Sequence, residues 1–404
     1  MTISYMNRIE CKEGFSNGQI DCPKDYVGTG LPNVVNYSIL MDLNHMYCNQ
    51  CCKYCCCHPK PENVDLKKYF NKDFEKMFAT IEDTTENKRK VPKEYRKYHF
   101  EIWGGEPLFN FDAFTQTFDA LKEHYPTAGF STSSNGLVLK SDSICDYLIK
   151  NNIKLQLSHD GLGQRMRGAD PLKDEHTKEN IIALSQMGIL TTINTTLSQI
   201  NPSWYENMEF WDKSGLDLSK MNIKLNHISD SEYPFEIAFN DEKIIRKYME
   251  EFMSLYWACY YDHNAYLPYR DYILEQGNRW QVVNPKTYKT GCRAYHAYKY
   301  NQKDWPQQDW HFTITTTGEY AECNLCKEVD RPDCSLPDYC KDCKYNNQAE
   351  CYSCGSMDYP RKCVWKKAWI ETLEIIHKQK EILRKNGCNC KCNTTRRRIP
   401  ASKH

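Results

Sequence analysis

The sequence predicts an α/β fold, a partial (β/α)6 barrel of the TIM type with a small cysteine-rich C-terminal domain and a terminal helix. Three observations carry this. Between about residue 35 and residue 230, short β-rich runs alternate with longer helical segments, the pattern of a parallel sheet with crossover helices. The unusual residues fall just after successive strands, where a parallel barrel gathers its chemistry. Most of the cysteines fall into two groups, and the second lies in a stretch too poor in apolar residues to build its own core.

Residues 1–34 form an N-terminal extension, and the barrel is expected over 35–240. Its strands are read at "NYSILMDL", "YHFEIW", "GFSTSS", "IKLQLS", "LTTINTTL" and "MNIKLNHI", with helices between them such as "DPLKDEHTKENIIALSQMG". The cysteine loop follows the first strand, "GGEP" the second, "SSNG" closes the third and "SHDG" the fourth. All four would open onto one mouth. Residues 241–289 form a bridging helical segment that begins with the aromatic-rich "NDEKIIRKYMEEFMSLYWACYYDH". Residues 290–363, dominated by Cys, Gly, Pro and polar side chains, would be held together around metal. Residues 364–404 are a final helix, stopped at Gly387, and a basic tail.

Composition narrows the setting. The chain has 404 residues, zero formal net charge and 40% hydrophobic content, which is enough for a large core but leaves no electrostatic footprint for nucleic acid. The basic stretches "NKRKVPKEYRK" and "TTRRRIPASKH" read as solvated surface. No secretory signal pattern opens the chain and no run approaches a membrane span, so a cytoplasmic protein is expected. In a reducing compartment, 22 cysteines point to metal or iron–sulfur ligation rather than to disulfides.

Cys48, Cys52 and Cys55 are separated by three residues and then two, with Tyr54 just before the last. Three thiolates on one short loop can hold three irons of a four-iron four-sulfur cluster and leave the fourth iron open to a ligand that is not protein. Only the frame starting at Cys48 closes; starting at Cys51 requires a cysteine at His58, and starting at Cys52 requires one at Pro59. Cys51, Cys56 and Cys57 are then surplus thiols. A zinc knuckle with His58 and a disulfide cluster are the alternatives.

With these residues the chain resembles the radical S-adenosylmethionine enzymes. The resemblance rests on Cys48, Cys52, Tyr54 and Cys55; on Gly104, Gly105, Glu106 and Pro107; on Ser133, Asn135 and Gly136; and on Ser158, Asp160 and Gly161 with Arg167 downstream. It implies S-adenosylmethionine bound to the open iron. Gly104, Gly105 and Glu106 would meet its amine, Ser133 or Asn135 and Ser158 its ribose side, Arg165 or Arg167 its carboxylate, and Tyr54 its adenine. "SHDGLGQRMRG" is shorter than the family's usual spacing between that Ser and Arg. The cofactor carries the hard step, and the protein positions the reactants and excludes water.

The second cysteine group resembles the SPASM extension of this superfamily, which implies two auxiliary four-iron clusters. Cys292, Cys323 and Cys354 would serve the first, with Cys326 or Cys334 as a fourth ligand; Cys340, Cys343, Cys351 and Cys363 would serve the second. Gly318 takes the place of the glycine that precedes Cys323 in that pattern. The chain departs from it in a longer gap between Cys292 and Gly318, seven residues between Cys343 and Cys351, and two between Cys351 and Cys354. Cys340 and Cys343 with Cys351 and Cys354, each pair separated by two residues, also read as a zinc ribbon. Cys388, Cys390 and Cys392 are exposed thiols or a metal-binding tail. Asn324 follows Cys323 where sulfatase-maturing members carry an Asp base, which disfavours formylglycine formation.

The resemblance implies hydrogen abstraction from a peptide or protein side chain, ending in a cross-link or an oxidation, with an electron donor such as flavodoxin or ferredoxin and no membrane partner. A small molecule, carbohydrate or nucleic acid is the alternative substrate class. A non-enzymatic iron–sulfur or zinc interaction protein is the third reading; it leaves the Gly, Ser and acidic residues after successive strands unexplained.

Overall fold

All six strands expected from the sequence form, and they form in one sheet. The computed structural model describes residues 35–43, 47–55, 73–88, 96–228, 237–278, 309–314, 318, 320–321 and 359–385. Strands β1 (Val35–Asp42), β2 (Arg96–Trp103), β3 (Gly129–Ser134), β4 (Lys154–Ser158), β5 (Leu190–Leu197) and β6 (Asn222–His227) run parallel in sequence order. Helices α1 (Phe74–Glu82), α2 (Phe111–His124), α3 (Asp142–Lys150), α4 (Glu175–Gln186), α5 (Trp204–Asp212) and α6 (Glu242–Tyr261) follow the strands in turn. This is the partial TIM-type barrel. Among the described residues, no helix is long and apolar enough to cross a membrane.

Local chemistry starts most of these helices. Asp73, Asn110, Asp174, Ser203 and Asp241 each sit just before a helix and accept a backbone N–H from its first turn. That satisfies donors which have no partner inside the helix, typically worth about 1 kcal/mol per cap.

The two faces of the sheet differ, and this difference positions the site. Phe100, Ile102, Phe130, Leu155, Leu157, Ile193, Leu197, Ile223 and Leu225 point outward and are buried. They meet Phe114, Phe118 and Leu121 of α2, Leu148 of α3, Ile181 and Leu184 of α4 and Trp211 of α5 in one continuous core. Each such side chain contributes about 1.5–3 kcal/mol by leaving water. The alternate residues, facing the concave side, are polar and mostly half-buried.

The sheet continues beyond the six expected strands. β7 (Asp309–Ile314) pairs parallel with β1 on the edge away from β2, and the two-residue β8 (Tyr320–Ala321) pairs antiparallel with β7. Gly318, in the turn between them, has φ +76° and accepts a hydrogen bond from Thr80 Oγ1 of α1 at 2.8 Å. The short α7 (Leu267–Gly277) precedes this pair, and α8 (Tyr359–Lys385) ends the described chain. Trp365 and Trp369 of α8 pack around His227, with Phe239, Tyr248 and Phe252 completing the cluster.

Candidate functional site

The loops after β1, β2, β3 and β4 meet at the carboxyl ends of the strands. Leu43 N–H donates to Trp103 O at 2.8 Å and Glu106 N–H to Tyr47 O at 2.8 Å, stitching the cysteine loop to the loop after β2. Lys53 N–H donates to Met166 O at 2.9 Å, and Gln50 Nε2 to Ala169 O at 2.8 Å, tying it to the turn after β4. A short segment is thus held from both sides.

Cys48, Cys52 and Cys55 stand together in this loop; Cys52 is buried, Cys48 and Cys55 are half-buried, and Cys51 is exposed. Nitrogen donors face two of the sulfurs. Gln50 N–H lies 3.4 Å and Asn135 Nδ2 3.6 Å from Cys48 Sγ, and Arg167 Nη1 lies 3.9 Å from Cys52 Sγ. Burial pushes the Cys52 thiol up to about 11, with the Arg167 charge working the other way. Among the described residues, no three His, Cys, Asp or Glu side chains are gathered so as to hold a single metal ion. In a four-iron cluster each thiolate takes its own iron, so its ligands spread around a cube instead of converging on one point.

Gly104 has φ +136°, a conformation that favours glycine, and it lets the chain turn sharply off β2 into the loop that carries Glu106. Glu106 is 1% exposed, and its Oε2 accepts Asn135 N–H at 2.7 Å, so its carboxylate joins the β2 and β3 loops. Burial pushes this carboxyl up to about 7, against the hydrogen bonds from Asn135 and Ser134. Asn135 Nδ2 also donates to Asn49 Oδ1 at 2.7 Å. Gly136, with φ +85°, follows; a Cβ there would stand 2.9 Å from Leu157 Cδ1. Ser133 and Ser158 lie half-buried at the ends of β3 and β4.

Asp160 is the centre of the mouth, a residue the sequence marked in its motif without giving it a role. Fully buried, it accepts hydrogen bonds from Arg167 Nε at 3.0 Å, from Thr196 N–H at 3.0 Å and from the Tyr54 hydroxyl. Tyr54 and Arg167 are therefore brought together, with the guanidinium 5.5 Å from the ring centroid, in cation–π range. Burial, and then the Asp160 charge, hold the Tyr54 phenol well above its ordinary value. Beneath the turn, His159 Nδ1 accepts Gly161 N–H at 3.0 Å, so Nε2 carries the proton it gives to Asp170 at 2.9 Å. Arg165 is exposed, whereas Arg167 points into the site. Gln50, Gln164 and Thr196 were missed from sequence, because only the fold brings both glutamine amides to Ala169 O, each at 2.8 Å, and the Thr196 N–H to Asp160.

Of the remaining expected ligands, Cys292, Cys323, Cys326, Cys340, Cys343, Cys351 and Cys354 lie outside the described residues, as do Cys334, Asn324, Cys56 and Cys57. Cys363 lies in α8.

No protein-family model and no curated protein matches the chain. Solved structures do. Native anSMEcpe with bound AdoMet is similar at 12% sequence identity and a TM-score of 0.50, covering 85% of this chain and 100% of that one. Native anSMEcpe with bound AdoMet and Kp18Cys peptide is similar at 12% identity and a TM-score of 0.50, covering 85% of this chain and 99% of that one. At such identity the shared property is the fold.

Proposed function

We propose that the chain is a radical S-adenosylmethionine enzyme that abstracts hydrogen from a peptide or protein side chain and leads to a cross-link or an oxidation. The observation that carries the reading is the seating of the three-thiol loop between the Gly104–Glu106 segment and the Asp160–Arg167 turn at one mouth of a partial barrel. The likeness to structures of anSMEcpe with bound AdoMet, and with bound AdoMet and a peptide, supports it.

The residues present fit the implied groups. Cys48, Cys52 and Cys55 would hold three irons of a four-iron four-sulfur cluster, and the N–H donors turned toward Cys48 and Cys52 suit anionic sulfur. When bound, the cluster and S-adenosylmethionine together supply a 5′-deoxyadenosyl radical able to take hydrogen from an unactivated C–H bond. The chain's own part is placement. Gly104 and Gly105 bring backbone close to the methionine end, and the buried Glu106 offers an acceptor for its ammonium. Ser133, Asn135 and Ser158 would line the ribose side. Asp160 holds Arg167 and Tyr54 in fixed orientation, which sets where a carboxylate and an adenine can lie. Because ligation requires thiolates, loading would release protons from thiols, Cys52 above all.

Residues 290–363 would form the SPASM-like domain with two auxiliary clusters, and a flavodoxin- or ferredoxin-type donor in the cytoplasm would supply the electron. Anaerobically reconstituted protein given dithionite and S-adenosylmethionine should form 5′-deoxyadenosine, and Cys52→Ala should abolish it. Product persisting in that variant excludes the site. Three clusters correspond to about twelve irons per chain; zinc in place of iron in the C-terminal region removes the auxiliary clusters.

A further inference from the structure

Parallel strands covered on both faces read as continuous apolar runs, and the interior of a closed parallel barrel is filled by bulky branched side chains. These strands do neither. On the concave face stand Glu101 of β2, Ser131 and Ser133 of β3, Gln156 and Ser158 of β4, and Asn194 and Lys224 of β5 and β6. Most are half-buried, while their outward neighbours Phe100, Ile102, Leu155, Leu157, Ile193 and Ile223 are fully covered. A polar and accessible interior wall costs the fold a second apolar layer.

The wall has a direction. Asn194 Nδ2 donates to Gln156 Oε1 at 3.4 Å, and Gln156 Nε2 donates to Glu101 Oε1 at 3.1 Å. Asn194 stands beside Lys224 in the β5–β6 register. The row therefore runs from a cation to an anion through two amides, each turned the same way. Gln156 reaches Glu101 across β3, although strands two apart in a flat sheet lie roughly 10 Å apart. Both side chains are long enough to lean across β3 and close that gap over the concave face. Burial raises the Glu101 carboxyl above its ordinary value, and the Lys224 charge works against that rise from three intervening strands away. Glu101 and Lys224 form no contact ion pair with each other among the described residues, so opposite charges face the same concavity without touching.

We infer that the row Glu101, Gln156, Asn194 and Lys224 is a substrate-recognition site for an uncharged amide, with Lys224 donating to its carbonyl oxygen and Glu101 accepting from its N–H. An aliphatic group would leave Lys224 without an acceptor and Glu101 with only the Gln156 donor, and a polyanion would meet Glu101. This deepens the peptide reading of the preceding subsection and rests on it for the amide's source, an Asn or Gln side chain of the peptide.

The test uses full-length protein and blocked Gly-X-Gly peptides with X as Asn, Gln or Leu, titrated by calorimetry. The Asn and Gln peptides are expected to bind about tenfold more tightly than the Leu peptide. Glu101→Gln and Lys224→Met should each lose that preference, whereas Lys224→Arg should retain it. Thermal unfolding of each variant reports whether it folds, and Lys224→Met keeps an unbranched apolar stem while removing the charge. Equal binding of all three peptides overturns the inference, as does undiminished preference in the folded variants or no saturable binding up to peptide solubility. Formation of 5′-deoxyadenosine by the wild-type protein without peptide reads out the radical reading separately. Amide preference without that product keeps the polar wall and removes the radical chemistry.

Discussion

Replacing Asp160 with asparagine removes the charge that holds the mouth together while preserving side-chain shape. The Asp160 side chain is 0% exposed and that of Arg167 13%, so the guanidinium would be left with little water to compensate it. Breaking a buried pair by removing one partner costs about 3–5 kcal/mol. Asparagine keeps one carbonyl oxygen for Thr196 N–H or Arg167 Nε, but its amide turns N–H donors toward a site that now receives three. The expected loss is therefore about 3–5 kcal/mol out of a typical total of 5–15 kcal/mol. Urea unfolding of the metal-free protein, followed by tryptophan fluorescence, measures it. Because the damage is an unpaired cation, Asp160→Asn combined with Arg167→Met should recover more than half of the loss. A single variant within about 1 kcal/mol of wild type, or a double variant no better than the single, refutes the argument that this ion pair clasps the site.

Two further outcomes follow from burial. Glu106 has its carboxyl raised from 4.5 to about 7 in the folded chain. The folded state then holds this proton more tightly, so the associated stability is full below 4.5 and is lost as pH rises through about 7, on the order of 3 kcal/mol. Between about pH 5 and about pH 8 the metal-free wild type should lose roughly 2–3 kcal/mol relative to Glu106→Gln; a difference independent of pH contradicts the assignment. Trp365 is 1% exposed and lies 4.5 Å from Phe239 and 4.8 Å from Tyr248, ring centre to ring centre. Trp365→Ala should cost about 3–5 kcal/mol in urea unfolding, and a loss under about 1 kcal/mol would mean that α8 is not docked through this ring.

The six barrel strands were legible because each is bounded by turn residues and alternates with a helix of matching period. β7 was not. "DWHFTI" sits inside a stretch whose cysteines and polar residues dominate any reading of its composition, and its pairing with β1 joins residues far apart in the chain. Of the candidate site, what spacing within one loop carries was legible, namely the grouping of Cys48, Cys52 and Cys55 in one short loop. Asp160 shows the limit. "SHDG" announces a turn, but the charge acquires its meaning only when β5 delivers Thr196 N–H, the cysteine loop delivers Tyr54 and the turn folds Arg167 back onto it.

The same alternation that closes the core also separates two kinds of polar residue. Those at the strand ends, such as Asp160 and Glu106, are buried and engaged with neighbouring loops, so their charge is spent on holding backbone in place. Those one layer deeper on the concave face, Glu101 and Lys224, carry opposite charge but stay apart and half-exposed. A fold under selection for stability alone would gain by filling that face with apolar side chains, as closed barrels do. Retaining charge there, at the cost of desolvation, is physically reasonable when a ligand completes the hydrogen bonds that the protein leaves open.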